Sequence, residues 1–379
     1  MPEAVLVSAL RTPVGTAFRG TLRDTSAFDL AHHVVTSALS EVDPALVDDV
    51  VLGEGLHGGG DIARHAAITA GLTGVPGLAV NRHCAAGQSA VQTAAASIRA
   101  GMDELVLAGG VNSASTAPRS RVQVDGEWVD WMSPTHPDRP DAPNKDMSIT
   151  VGWNAAVKAA VTREAMDAWA LRSHRNAVRA IDEGRFDAEI RPIATPHGLF
   201  AVDEHPRRDT NMDKLAKLRV LHPEIEGFSI TAGNSSGAND GAAILAVASD
   251  ALGLPALARV VSWASVGVDP AETGMAAVGA IPKALGRAGM SVADVDLFEI
   301  NEAFAAMCVA TVELLGLDAD RVNVNGSGCS LGHPVAASGA RMLVTLTHEL
   351  RRRGGGVGVA AMCAGGGMGS ATVIEVPAP

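Results

Sequence analysis

Val80-Asn81-Arg82-His83-Cys84-Ala85-Ala86-Gly87-Gln88-Ser89-Ala90 carries a short apolar strand, read over 77–81, into a helix of small residues, read over 85–99. The alternation continues on both sides. Strands are expected over 4–9, 50–52 and 104–108, and helices over 26–41 and 63–70. Short apolar strands separated by amphipathic helices predict a mostly parallel sheet covered on both faces. The last third repeats the theme. Strands are expected over 258–262, 297–300, 321–324, 357–362 and 371–376, with helices over 281–288, 302–315 and 336–352.

Two stretches share an outline. One runs from Val47-Asp48-Asp49-Val50-Val51 through the Cys84 turn to Gly109-Gly110. The other runs from Val295-Asp296-Leu297-Phe298 through Val322-Asn323-Val324-Asn325 and Ser338-Gly339 to Gly365-Gly366-Gly367. The pattern reads as an internal duplication. Residues 118–236 differ, with a Pro-rich run at Ser133-Pro134-Thr135-His136-Pro137 and charged helical sequence near 163–183. They read as an inserted loop domain. The halves around it are 1–117 with 237–250, and 251–379.

Composition narrows the function. The 379 residues are 47% hydrophobic with a net charge of −12, enough apolar residues for a large core and no basic face for nucleic acid. Four scattered cysteines do not form a disulfide scaffold. The start, Met1 to Val7, shows no basic region followed by an apolar core, so no signal peptide is expected. No apolar run reaches bilayer length. A soluble protein in a reducing cytoplasm is the expectation.

Four segments carry chemistry. Cys84 stands where a strand turns into a helix, whose unpaired N–H groups favour a thiolate and hold an oxyanion. A buried, inert thiol is the other reading. Asn325-Gly326-Ser327-Gly328-Cys329-Ser330-Leu331-Gly332-His333-Pro334 reads as a rigid turn aiming an imidazole that can serve a thiol as base. Met362-Cys363-Ala364-Gly365-Gly366-Gly367 places a second thiol beside open backbone amides, and a pKa of about 8.5 lets such a thiol move protons. Ile300-Asn301-Glu302-Ala303-Phe304 puts a polar pair at a strand end, where open α/β sheets gather their sites, though a helix cap reads equally well. Cys308 reads as core.

In this order, the four segments resemble the thiolase family. Thr231-Ala232-Gly233-Asn234-Ser235-Ser236-Gly237-Ala238-Asn239-Asp240-Gly241-Ala242 and Arg11-Thr12-Pro13-Val14-Gly15 extend the resemblance along the whole chain. It implies an α/β fold with a duplicated, five-layered αβαβα core, and homodimers or homotetramers. It implies an acyltransferase of fatty acid metabolism that cleaves 3-ketoacyl-CoA with CoA or runs the reverse Claisen condensation. Neither metal nor cofactor is implied, and coenzyme A is a substrate.

Carried over residue by residue, Cys84 is the acyl-carrying nucleophile and His333 its base. Asn301 completes one oxyanion site through a held water, and Cys363 is the acid and base at the α-carbon. The N–H groups of Cys84 and Gly365 form the other oxyanion site. Arg207 in the basic run His205–Arg208, Ser236, Phe304 and Met147 are the candidate substrate and CoA contacts. Ketoacyl synthases and hydroxymethylglutaryl-CoA synthases pair their cysteine differently. A non-catalytic acyl-CoA-binding subunit of a larger complex is the alternative from another class.

The chain departs from the family around the tunnel. It has Asp146-Met147-Ser148 for His-Met-Gly, Val111-Asn112-Ser113 where a Glu usually follows, Thr273–Gly279 for Met-Gly-x-Gly-Pro, and Ser327-Gly328-Cys329-Ser330 for Gly-Ala-Ile-Ala. These changes leave chain length, direction and pathway open.

Overall fold

The computed structural model describes residues 2–55, 57 and 60–378. The chain starts with β1 (Ala4–Arg11), the two-residue β2 (Gly15–Thr16), α1 (Ala27–Leu39), β3 (Asp49–Gly53), α2 (Ile62–Thr69), β4 (Gly77–Val80), α3 (Ala86–Arg99) and β5 (Leu105–Ser113). It then leaves the sheet for a hairpin of β6 (Ser120–Val124) and β7 (Glu127–Trp131), helices α4 (Asn154–Lys158) and α5 (Arg163–Asp182), a hairpin of β8 (Ile193–Thr195) and β9 (Gly198–Phe200), and α6 (Met212–Ala216). It returns as β10 (Asn239–Ser249). It then continues through β11 (Ala258–Gly267), α7 (Ala276–Arg287), β12 (Leu297–Ile300), α8 (Ala305–Leu315), α9 (Ser338–Arg352), β13 (Gly356–Ala364) and β14 (Met368–Val376).

One sheet runs β12-β13-β14-β11-β1-β10-β5-β3-β4. Its halves meet at a short antiparallel contact, Val5 with Arg259 and Leu6 with Ala258. Counting strands within each half gives the same spatial order twice, 3-2-4-5-1, with position 3 of the second half held by a single bridge from Val322 to Phe298. Helices α1 and α2 cover the outer face of the first half, and α7 and α8 that of the second. Helices α3 and α9 pack on each other between the halves. The result is five layers, αβαβα.

The expectation of a mostly parallel sheet is corrected. Among the strands of the described residues only β3–β4, β3–β5 and β12–β13 are parallel pairs, and β1, β10, β11 and β14 pair antiparallel. For β13 and β14 the reason is in the connection. Parallel neighbours need a long crossover, whereas β13 reaches β14 through Gly365-Gly366-Gly367, with φ of 82° and 78° at Gly366 and Gly367.

The strand expected over 321–324 does not form. Asn323 turns left-handed, with φ of 50°. Its N–H donates to the Phe298 carbonyl at 2.9 Å. Its side chain then replaces the ladder, accepting from Ile300 N–H at 2.8 Å and donating to Ile300 O at 2.8 Å. One amide does the hydrogen bonding of a strand end.

The helix expected over 302–315 starts only at Ala305, because Phe304 is extended, with φ of −140° and ψ of 142°. Asn301 and Glu302 are therefore not its cap, and both side chains are released for other work. The helix expected over 281–288 begins earlier, at Ala276, and contains Pro282.

Candidate active site

The Cys84 turn is built locally. Asn81 Oδ1 accepts the His83 N–H at 2.8 Å, His83 takes a left-handed φ of 45°, and α3 begins at once. Cys84 is half-buried, and its thiol is approached by two amide N–H groups, its own and that of Gly365. Burial nevertheless raises its pKa, with the two amides acting the other way. The expected lowering at the helix N-terminus is thus outweighed by desolvation, and the resting group is a thiol.

The His333 box meets this turn where α3 and α9 begin. The Gly87 N–H donates to the Ala336 carbonyl at 2.9 Å. A Cβ on Gly87 would lie 2.6 Å from that oxygen, and one on Gly339 2.6 Å from Gln88 N. Gly87 follows Cys84 by three positions and Ala336 follows His333 by three, so the contact joins matching points of the two halves. Gly332, with φ of 101°, leaves no room for a Cβ against the Asn239 amide, 2.6 Å away. Asn239 Oδ1 in turn accepts the His333 N–H at 2.9 Å.

The His333 ring has defined partners. Nδ1 lies 2.6 Å from Ser338 Oγ, and that hydroxyl donates to the Pro334 carbonyl at 3.0 Å. A hydroxyl has one proton, so Ser338 must accept from Nδ1–H, which leaves Nε2 with its lone pair. Nε2 faces Asn301 Nδ2 at 3.4 Å. Burial, and then the charge of Arg341, pushes the His333 pKa down to about 4, so the ring is neutral at pH 7.

Asn301 is fully buried at the end of β12, and its Oδ1 has no partner among the described residues. A buried unpaired acceptor is costly, and a water is the ordinary remedy. Glu302 has a different task. Its carboxylate accepts from Trp169 Nε1 (2.9 Å), Ser173 Oγ (2.6 Å), Asn323 Nδ2 (2.9 Å) and Cys329 N (3.1 Å). It ties α5 to the His333 box.

Cys363 ends β13 almost fully buried, 3.5 Å from Met307 Sδ. Burial first, and then the nearby Cys84, pushes its pKa far up. Cys363 stands two residues before Gly365, whose N–H approaches the Cys84 thiol. Cys308 is fully buried, its Sγ donating to the Asn301 carbonyl at 3.4 Å. Cys329 is buried by the Glu302 carbonyl, at 3.6 Å.

The candidate CoA contacts divide. Arg207 and Ser236 line one cavity of about 370 Å³, together with Arg19, His174, His205 and, on its floor, Cys329. Burial lowers both histidines to about 4, helped by neighbours that include Arg207. Arg208 and Lys214 are absent from this wall and pair instead with Asp182 and Asp209. Phe304 packs in the core, and a Cβ on Gly152 would meet its ring at 2.8 Å. Met147 is partly buried against the same core cluster. Asp146 beside it bonds Ser148 and His222.

Sequence reasoning missed Ser338, Asn239 and Asn323 as organisers of the site. The signal available was a hydroxyl five residues after His333, an asparagine between two valines at 323, and the polar pair Asn239-Asp240 at the start of an apolar strand. Among the described residues there is no cluster of three or more metal-binding side chains, and no helix is long and apolar enough to cross a membrane.

Comparison with known proteins agrees over the full length. The family described as "Thiolase, N-terminal domain" matches residues 4–251 and "Thiolase, C-terminal domain" matches 254–376. The chain is 42% identical to an acetyl-CoA acetyltransferase of Pseudomonas aeruginosa and 41% to one of Escherichia coli, covering 99% of both partners in each case. It superposes with a TM-score of 0.90 on the crystal structure of Bacillus anthracis acetyl-CoA acetyltransferase, at 38% identity and 99% coverage of each chain. Human mitochondrial 3-ketoacyl-CoA thiolase in complex with CoA gives a TM-score of 0.90 at 36% identity, over 99% of this chain and 98% of that one.

Proposed function

The chain belongs to the thiolase family, acyltransferases that cleave 3-ketoacyl-CoA with CoA or run the reverse Claisen condensation, and from that premise we propose that Cys84 carries the acyl group as a thioester. The observation that carries this reading is the approach of the Gly365 N–H to the Cys84 thiol, with Cys363 two residues before that amide at the end of β13.

In the cleaving direction His333 Nε2 takes the Cys84 proton as sulfur attacks C3 of the 3-ketoacyl-CoA. The resting pair is a neutral thiol beside a neutral imidazole, so proton transfer accompanies attack. The C3 oxygen gathers charge against the N–H groups of Cys84 and Gly365. The C2–C3 bond breaks, and C2 takes the proton of Cys363, whose raised pKa keeps it protonated beforehand. Acetyl-CoA leaves. The Cys363 thiolate then accepts the proton of an incoming CoA thiol, whose sulfur attacks the acyl-Cys84 carbonyl; the C–S bond to Cys84 breaks, Cys84 recovers its proton from His333, and the new acyl-CoA is freed. Asn301, with a water at its unpaired Oδ1, and His333 support the thioester oxygen of the CoA-bound acyl group. Splitting one Claisen step into two acyl transfers is the gain from the covalent intermediate.

The CoA nucleotide occupies the Arg207 and Ser236 cavity, and Phe304 and Met147 bound the acyl and pantetheine path. The 118–236 segment, from which the main sheet takes no strand, is a loop domain between halves formed by 1–117 with 237–250 and by 251–379. The protein works as a homodimer or homotetramer in the cytoplasm, in fatty acid metabolism.

CoA-dependent cleavage of acetoacetyl-CoA, with mass spectrometry of the acylated protein, tests the reading. Turnover with an acetyl group on Cys84 is expected. No turnover on any 3-ketoacyl-CoA and no acylation would make the chain a non-catalytic acyl-CoA-binding subunit.

A further inference from the structure

His83 stands next to the nucleophile and has no part in the chemistry above. Its backbone is fixed in an unusual place: φ is 45°, and Asn81 Oδ1 holds its N–H. Left-handed backbone in a non-glycine residue is uncommon and gathers at functional sites. The ring is directed at the hairpin that carries Gly365. A Cβ built on Gly365 would lie 3.6 Å from His83 Cγ and 3.3 Å from Thr135 Cγ2. These two side chains therefore wall the space beside the amide that approaches Cys84.

The two walls differ in chemistry. His136 Nε2 faces the Ala142 carbonyl at 2.8 Å, and a carbonyl only accepts, so Nε2 carries the proton. His136 Nδ1 then accepts from the Thr135 hydroxyl, 2.7 Å away. Thr135 has spent its proton and turns a methyl group to Gly365. His83 is half-buried, and its ring nitrogens have no hydrogen-bond partner among the described residues. Burial, and then His136, lowers its pKa, which keeps the ring neutral at pH 7 with one N–H to give.

An acyl group on Cys84, with its oxygen at the Gly365 and Cys84 amides, leaves the thiol past this wall. We propose that His83 is a specificity-determining residue whose imidazole donates a hydrogen bond to a short acyl group bearing an uncharged oxygen beyond its α-carbon. This rests on Cys84 being the acylated residue. The reaction is unchanged: Cys84 sulfur bonds to C3, C2–C3 breaks, C2 takes a proton from Cys363, and the acyl group passes to CoA.

The test uses an isosteric pair, 3-ketohexanoyl-CoA and 4-methoxyacetoacetyl-CoA, which differ by CH₂ for O, with acetoacetyl-CoA as reference. The wild type is expected to favour the methoxy substrate about tenfold in kcat/KM, as an otherwise unpaired site donor does. His83→Leu should bring that ratio to about one. His83→Asn, which tolerates the left-handed backbone and keeps a donor, should restore much of it. The ratio is the readout because strain in the leucine variant lowers both rates alike. A wild-type ratio near one with normal acetoacetyl-CoA cleavage, or an unchanged ratio in His83→Leu, overturns the role of His83 alone. No turnover on all three substrates defeats the reading of the site as well.

Discussion

The two halves of the sheet share the order 3-2-4-5-1 and the helix that follows position 3, yet they finish position 3 in opposite ways. In the first half β4 is a four-residue strand, partly exposed, followed by Asn81 and the Cys84 turn. In the second half a single bridge and the buried Asn323 side chain stand in for the strand, and a Gly-rich loop leads to His333. Both turns contain a non-glycine residue with positive φ, His83 at 45° and Asn323 at 50°. The first half presents a half-buried cysteine beside a partly exposed edge strand. The second spends its edge on an enclosed polar network that aims an imidazole. The two halves supply equivalent helix starts, one beside a half-buried thiol and the other beside a buried imidazole.

The comparison breaks most sharply at the reacting groups. Cys84→Ser should lower acetoacetyl-CoA thiolysis about 10³-fold or more, because removing a nucleophile disables the whole unit. Cys363→Ser should match it in turnover but still take an acetyl group on Cys84 from acetyl-CoA, read by mass. Equal acylation failure in both variants would show that the two thiols do not divide the work.

The edge residues give the next effect. Asn323→Ala removes the side-chain bonds to Ile300 and Glu302 inside the core, and denaturant unfolding should show a loss of about 3 kcal/mol. Asn81→Ala removes one bond at an exposed position, and its cost should be about 1 kcal/mol or less. Similar costs would mean that the two edges are not built differently.

Ser338→Ala should lower kcat about tenfold with little change in KM, since it frees the His333 tautomer without touching CoA. The wild-type kcat/KM should hold below pH 6 and fall only as pH nears 4, the His333 value. The sign for stability follows. A histidine kept neutral by folding has a lower pKa folded than unfolded, so its contribution is lost as pH falls from about 6.5 toward 4.

The smallest effect has the reverse sign. His222 is raised, first by its bond to Glu224 and also by Asp146. Its contribution is present below about pH 6.5 and is lost as pH rises through the raised value. Salt should weaken it, because the pair is open to solvent, and thermal melts of His222→Gln at pH 6 and pH 8 would show a gap only at the lower pH.

Much of the fold could be read from sequence. Strand and helix periods located β12 to the residue and most helices to within a few positions. Strand direction could not be read, because β13 and β14 reverse through a tight Gly turn while β5 and β10 pair antiparallel across the whole 118–236 segment. The missing strand at 321–324 alternates valines with polar residues, and the left-handed Asn323, whose amide takes the Ile300 bonds, ends it. At the site, Cys84, His333, Cys363 and Asn301 stood in recognisable motifs. Ser338, Asn239 and the role of Glu302 did not, since each acts through partners distant in the chain. The lowered Cys84 pKa expected from a helix N-terminus failed for the same reason: the desolvation that opposes it comes from other segments.

The sequence alone determined which chemical groups the chain owns, their order and the local turns that carry them, because these follow from short-range backbone preference and hydrophobic period. Tertiary structure alone decided their protonation, the tautomer of His333 and the pairing of the two halves. Those properties depend on what each group loses in water and meets across the core.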